Sequence, residues 1–236
     1  MSSLLRPFAP GLLVAEGPTV SFLGFPYPTR MAVMALPRGL FVWSPIALTP
    51  ALRAEVDALG EVRWLVTPNK LHHLFLTEWK AAYPDARLYA PPGLRRKRKD
   101  LAFDADLGDA ADPAWAAEID QVLVHGSFAL TEAVFFHRAS GTAIVGDLIQ
   151  RFPPDWFYGW RGFMMRLSGL VAPDAGAPLD WRTSFLDRTA ARAALARILA
   201  WPIERVLIAH GESACTDGAA FMRRGFAWLL PHDSMR

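Results

Sequence analysis

Short apolar runs, many of them alternating or β-branched, recur along the first third of the chain and return after residue 118. Gly11–Ala15, Thr19–Leu23, Met31–Leu36 and Leu40–Trp43 read as strands, and the Pro and Gly residues between them predict hairpins. Thr49–Leu59 has the spacing of a helix: Thr49 suits the cap, Pro50 the first turn and Gly60 the stop, with Leu52, Val56 and Leu59 on one face. Strand character returns at Glu61–Val66. A second helix follows, with Leu74, Trp79 and Ala82 as its inner positions and Pro84 beyond its end. Arg87–Ala90, Ile119–His125, Ala133–His137, Thr142–Gly146 and Glu204–Ala209 complete the predicted strands. Ser184–Ala200, capped by Ser184, and Thr216–Leu230 are the remaining helices. Gln150 to Asp180 is rich in Pro, Gly and Trp without a clear period, and reads as a long covering loop with one short helix.

A block of strands with two helices therefore occurs twice. Strict alternation of strand and helix is absent, which disfavours a doubly wound parallel sheet. An α/β fold of two sheets packed face to face, with helices outside, fits the order better. Without a linker or an internal repeat, residues 1–236 read as one domain.

Composition narrows the classes. Hydrophobic residues make up 52% and charged residues 20%, the balance of an ordinary globule rather than a disordered chain. A net charge of +2 does not by itself imply nucleic acid. The run Arg95, Arg96, Lys97, Arg98, Lys99 is the place where phosphates would bind. It lacks interleaved aromatics and reads better as a solvated turn, or as a rim that favours an anionic ligand. The one cysteine, Cys215, excludes an intrachain disulfide and suits a reducing compartment. It lies near His210, but a small buried residue at a helix start is the better reading than a nucleophile. Pro7 and Pro10 interrupt the apolar N-terminus, so a secretory signal is not expected. No stretch approaches the roughly 20 apolar residues of a membrane span. A soluble cytoplasmic protein is expected, with peripheral membrane contact through the Trp-rich segment from Trp156 to Leu170 as a lesser option.

Candidate chemistry gathers at strand ends. VRWLV precedes His72-His73, TAIV precedes Gly146-Asp147 and RVLIA precedes His210-Gly211. Loops converge at such ends while the strands stay rigid. Neutral imidazoles with a carboxylate suit zinc, iron or manganese. Each residue also has a plain reading: helix caps for His72, His73 and Asp147, a turn histidine for His210. Recurrence at three strand ends favours the metal.

These residues carry a resemblance. TPNKLHHLFLTEWKAAYPDARLYAPPGL at Thr67–Leu94, GTAIVGDLI at Gly141–Ile149 and VLIAHGE at Val206–Glu212 resemble a divergent branch of the metallo-β-lactamase-fold superfamily, one labelled a domain of unknown function. The resemblance implies an αββα sandwich. The superfamily signature is His-x-His-x-Asp-His after a strand, with further His, Asp and His residues downstream. Against it, Pro68 and Lys70 stand at the first two His positions, His72 replaces the Asp and His73 keeps the last His. The loop at Gly126-Ser127-Phe128 lacks its His, although His125 is close in sequence. The resemblance therefore implies one divalent metal ion, zinc first and iron or manganese next, held by His72, His73, Asp147 and His210. Lys70 would place an ammonium near the vacated position and oppose a second metal, whereas a shift of one register would bring Asn69 there instead. Four protein ligands would close a tetrahedral ion and make the site structural, while a higher coordination number would keep a position open. The implied activity is metal-dependent hydrolysis of an ester-like small-molecule substrate. The alternative is a non-catalytic member that binds a ligand or partner in the same pocket. Trp156 and Trp160, with Phe157 and Tyr158 between them, are the expected wall of an apolar pocket over the metal. Asn69, Lys70 and His125 are the further candidates for contact with substrate.

Overall fold

A computed structural model describes residues 3–230. His232 lies outside them. The first half of the chain runs β1 (Arg6–Ala9), β2 (Leu12–Glu16), β3 (Val20–Phe22), β4 (Phe25–Tyr27), β5 (Arg30–Leu36), β6 (Gly39–Trp43), α1 (Pro50–Leu59), β7 (Val62–Val66), α2 (Leu76–Ala82), β8 (Arg87–Ala90), α3 (Leu94–Lys97) and β9 (Ala105–Asp106). The second half runs β10 (Ile119–Val124), β11 (Glu132–His137), β12 (Thr142–Val145), α4 (Gly159–Leu167), α5 (Leu179–Ser184), α6 (Arg188–Leu199), β13 (Arg205–Ile208) and α7 (Gly218–Gly225).

Seven strands form the first sheet in the order β1-β2-β5-β6-β7-β8-β9, and four form the second in the order β10-β11-β12-β13. Both sheets are mixed: the pairs from β6 to β9, and β12 with β13, are parallel. The two sheets pack face to face, and β6 shows why its run is uniformly apolar. Phe41 and Trp43 join the core between the sheets, where Trp64, Trp115, Phe135, Ile144 and Leu207 meet them. Leu40 and Val42 point the other way, onto Leu52 and Val56 of α1 and Trp79 of α2. A strand covered on both faces needs no polar side. The second sheet does the same with Val134, Val145 and Ile208 against Ala191 and Leu195 of α6 and Phe221 of α7. This is the αββα sandwich expected from the element order.

The local devices mostly follow the sequence. Thr49 caps α1 by accepting from Leu52 N at 3.2 Å, Pro50 opens the helix and Gly60 stops it. Several expectations need correction. Leu59 and Leu74, expected on inner helix faces, are exposed, and Leu74 precedes α2, which starts at Leu76. Asp187, rather than Ser184, caps α6, accepting from Ala190 N at 3.0 Å. Ser184 closes the separate helix α5, so the expected loop between Gln150 and Asp180 contains α4 and leads into α5. Cys215 is exposed, not buried, because it sits in the turn before α7 and not on the helix face that meets the core.

No helix among the described residues is long and apolar enough to cross a membrane.

Candidate metal centre

Parallel strands deliver their C-terminal ends to one edge of the sandwich. At that edge β6 ends in Ser44, β7 leads through Thr67-Pro68-Asn69 to His72, β12 leads to Asp147 and β13 to His210. The two sheets are tied there by a backbone hydrogen bond from Ala133 N to the Pro68 carbonyl, 2.8 Å.

Three side chains converge. His72 Nε2 lies 3.2 Å from Asp147 Oδ2, and His210 Nε2 lies 3.0 Å from Asp147 Oδ1. One nitrogen or oxygen from each of these residues falls within 4.8 Å of the other two. Each of the three side chains is held from behind. Ser44 Oγ and the Nδ1 of His72 share a hydrogen bond of 2.8 Å, and His210 Nδ1 donates to the Pro28 carbonyl at 2.7 Å. Asn69 Nδ2 donates to Asp147 Oδ2 at 2.8 Å.

Below them lies Glu132, a fully buried carboxylate. It accepts from Gly146 N at 2.9 Å, Asp147 N at 2.7 Å and Asn69 Nδ2 at 2.8 Å, and so holds the turn that presents Asp147. Burial, with the charge of Asp147 beside it, pushes its carboxyl up to about 7. Asp147 goes the other way. Burial works to raise it, but His72 and the hydrogen bonds from both histidines outweigh burial and hold it well below the usual carboxylate range. Gly146 makes this approach feasible: a Cβ there would stand 2.8 Å from Glu132 Oε2 and 2.9 Å from Pro68 Cγ.

The donor set fits a cation. The Pro28 carbonyl can only accept, so His210 Nδ1 carries a proton, and in the neutral ring the Nε2 lone pair faces an anionic Asp147 oxygen. Two electron-rich atoms at that distance require a proton or a metal between them.

His73 is not brought into this group. Helix α2 starts only at Leu76, and in the turn before it the two adjacent rings diverge. His73 Nδ1 accepts from Arg98 Nη1 at 3.3 Å, and its pKa is lowered to about 4, by burial first and then by Lys97 and Arg98. A ring next to two cations is poorly placed to add a third. Asn69 touches Asp147, while the stem of Lys70 passes Gly93 and its carbonyl accepts from Lys97. His125 is remote from the centre and pairs with Asp109 at 2.9 Å, half exposed.

A cavity of about 390 Å³ opens above the three residues, with His72, Asp147 and His210 in its floor. Its walls come from Phe25 and Tyr27, from Leu71 and from Met165 and Leu170 of the covering segment. Tyr27 packs edge-on to the His210 ring, centroids 5.2 Å apart, and burial keeps its phenol protonated. The covering segment thus lines the cavity, but not with the expected aromatics. Trp156 donates to the Pro26 carbonyl, Phe157 is buried behind the wall, and Trp160 lies exposed against Phe25. The basic run is largely spent on surface pairs: Arg95 with Asp106, and Arg98 with Asp100, Thr77 and the His73 carbonyl. Lys97 reaches the cavity rim.

Comparisons with known proteins agree with this fold. A metallo-β-lactamase from Erythrobacter litoralis superposes with a TM-score of 0.65 over 95% of this chain and 95% of that one, at 14% identity. The mono-zinc form of the metallo-β-lactamase FIM-1 from Pseudomonas aeruginosa gives 0.62 over 96% of both chains, at 12% identity. The flavodiiron core Flv1 from Synechocystis sp. PCC6803 gives 0.63 over 95% of this chain and 60% of that one, at 12% identity. Identities this low establish the fold alone. Curated proteins give no significant match. Residues 20–157, which include His72 and Asp147, match the family described as "Domain of unknown function (DUF4336)". The chain belongs to that family, and it has the metallo-β-lactamase fold.

Proposed function

We propose that this protein is a metal-dependent hydrolase with a single divalent ion held by His72, Asp147 and His210. The observation that carries the reading is the pair of imidazole nitrogens aimed at one anionic carboxylate, at 3.2 and 3.0 Å, in the floor of a ligand-sized cavity. Three protein ligands on a four-coordinate ion leave one position open, the arrangement of catalytic rather than structural zinc sites. Zinc suits two imidazoles and a carboxylate, with iron and manganese next.

When bound, the metal supplies a Lewis acid that polarises a carbonyl or phosphoryl oxygen. The chain's own residues do the rest. Pro28 fixes the His210 tautomer so that Nε2 is free to bind, and Ser44 Oγ holds the His72 ring in place through its hydrogen bond with Nδ1. Asn69 orients the Asp147 carboxylate. Tyr27 offers a protonated phenol at the cavity wall, and the apolar wall lowers the polarity around the bond that water attacks.

Calorimetric titration of chelator-treated protein with zinc tests the metal reading. Binding should saturate near one equivalent, and Asp147→Asn or His210→Ala should abolish it. Two tight equivalents, or unchanged binding in both variants, would overturn the ligand set. A panel of aryl esters, thioesters and lactones tests catalysis: turnover that disappears with chelator and returns with zinc supports a hydrolase. Metal uptake without any turnover would favour a ligand-binding member of the fold.

A further inference from the structure

The cavity mouth is bordered by apolar side chains that face solvent. On α4, Trp160, Phe163, Met164 and Leu167 follow the spacing of one helix face, and that face is turned outward, with Phe163 66% and Leu167 60% exposed. Buried Met165 anchors the opposite face. Next to α4 stands the β3–β4 hairpin, whose two-residue turn is Leu23-Gly24, both with positive φ. That turn type favours Asn-Gly or Gly-Gly. A leucine there, at φ 50° and 79% exposed, is strained and wet at once. The two elements touch: Phe25 and Trp160 rings are 5.3 Å apart. Exposed Leu74 and Leu179 continue the patch across the mouth, and both also line the cavity.

The charges around the patch choose the occupant. Arg161 lies over the Trp160 ring, Arg166 is exposed on α4, and Lys97 stands at the cavity rim. Asp180, also lining the cavity, is an opposing charge, and Asp147 lies deeper in the floor. An outward apolar stripe of Trp, Phe and Leu flanked by arginines matches an anionic lipid surface, where the aromatic and aliphatic groups enter the interface and the cations meet headgroups.

We propose that α4 and the tip of the β3–β4 hairpin dock this protein on an anionic lipid layer, with the cavity mouth opening into the layer. An amphiphile with an apolar chain then reaches the centre without crossing water. That substrate class rests on the metal-site reading; the docking surface does not.

Sedimentation of the full chain with vesicles tests the surface. Vesicles of phosphatidylcholine with about a third phosphatidylserine should carry the protein down, and added salt should release it. Phe163→Glu and Leu167→Glu, both outside the cavity, should each weaken partitioning about tenfold or more, as expected for losing one buried large apolar side chain. Their zinc uptake should equal that of the unaltered protein. Absence of binding, or binding that both variants leave unchanged, would overturn the docking surface. So would a dimer in solution that Phe163→Glu dissociates, since a second copy would then cover the patch. If vesicle binding behaves as expected but zinc is not taken up, the metal reading fails and the docking surface stands.

Discussion

Removal of Glu132 tests whether the centre is held from below. Glu132→Ala deprives the backbone N–H groups of Gly146 and Asp147 of their close acceptor and that of Leu148 of a longer one at 3.4 Å, while Asn69 keeps one partner in Asp147. Two orphaned buried donors cost about 1–3 kcal/mol each. The lost side chain adds packing loss, and removing a carboxylate next to Asp147 relieves repulsion and offsets part of it. The expected net loss is about 3–5 kcal/mol, large against a typical total of about 5–15 kcal/mol. Glu132→Gln retains one oxygen and should lose about 1–3 kcal/mol. Urea unfolding near neutral pH, with the slope unchanged, measures both. Because the same carboxylate aims Asp147, Glu132→Gln should also weaken zinc binding about 10- to 100-fold. A loss below about 1 kcal/mol in the alanine variant, with zinc affinity intact, would show that Glu132 does not support the turn.

Gly146→Ala places a methyl group against Glu132 and Pro68, and should destabilise by about 1–3 kcal/mol, read as a lower thermal midpoint. Thr49→Ala removes the α1 cap and should lose about 1 kcal/mol in urea unfolding without changing zinc uptake. His137 is buried, and burial lowers its pKa from 6.5. The unfolded chain therefore binds its proton first, and stability falls as pH drops below 6.5 toward the lower folded value. Urea unfolding of His137→Gln should show a shallower loss between neutral and acid pH, and equal slopes would refute the assignment.

Much of the centre was legible because the β-branched runs TAIV and RVLIA end directly before Gly146-Asp147 and His210, so a strand assignment also placed the side chain. Choosing between His72 and His73 was not possible on the same grounds. They lie in an irregular turn, where spacing does not define a face, and the outcome depends on Ser44 and Arg98, distant in sequence. Glu132 shows as a lone acid opening the apolar run EAVFFH, a signal that says little until β11 is known to start beneath Asp147. Helix α4 was hidden by the density of Gly and Pro around it. Its apolar spacing also lacks a buried partner, so the usual inference from stripe to core fails there. Ser184 and Asp187 are both good caps, and only the end of α5 decides between them.

The hydrogen bond from Ala133 N to the Pro68 carbonyl, and the pairing of His72 with Asp147 across 75 positions of chain, join the two halves of the sandwich at one point. Neither half can form the centre alone, and contacts this distant in sequence are slow to form and come after local structure. The centre therefore exists only once the two sheets have docked. An ion that binds there recognises only the fully docked molecule, so by mass action it stabilises the whole chain rather than a loop. Zinc at a hundredfold excess over its dissociation constant would add about 2.7 kcal/mol to global unfolding, and amide exchange would slow in both sheets together.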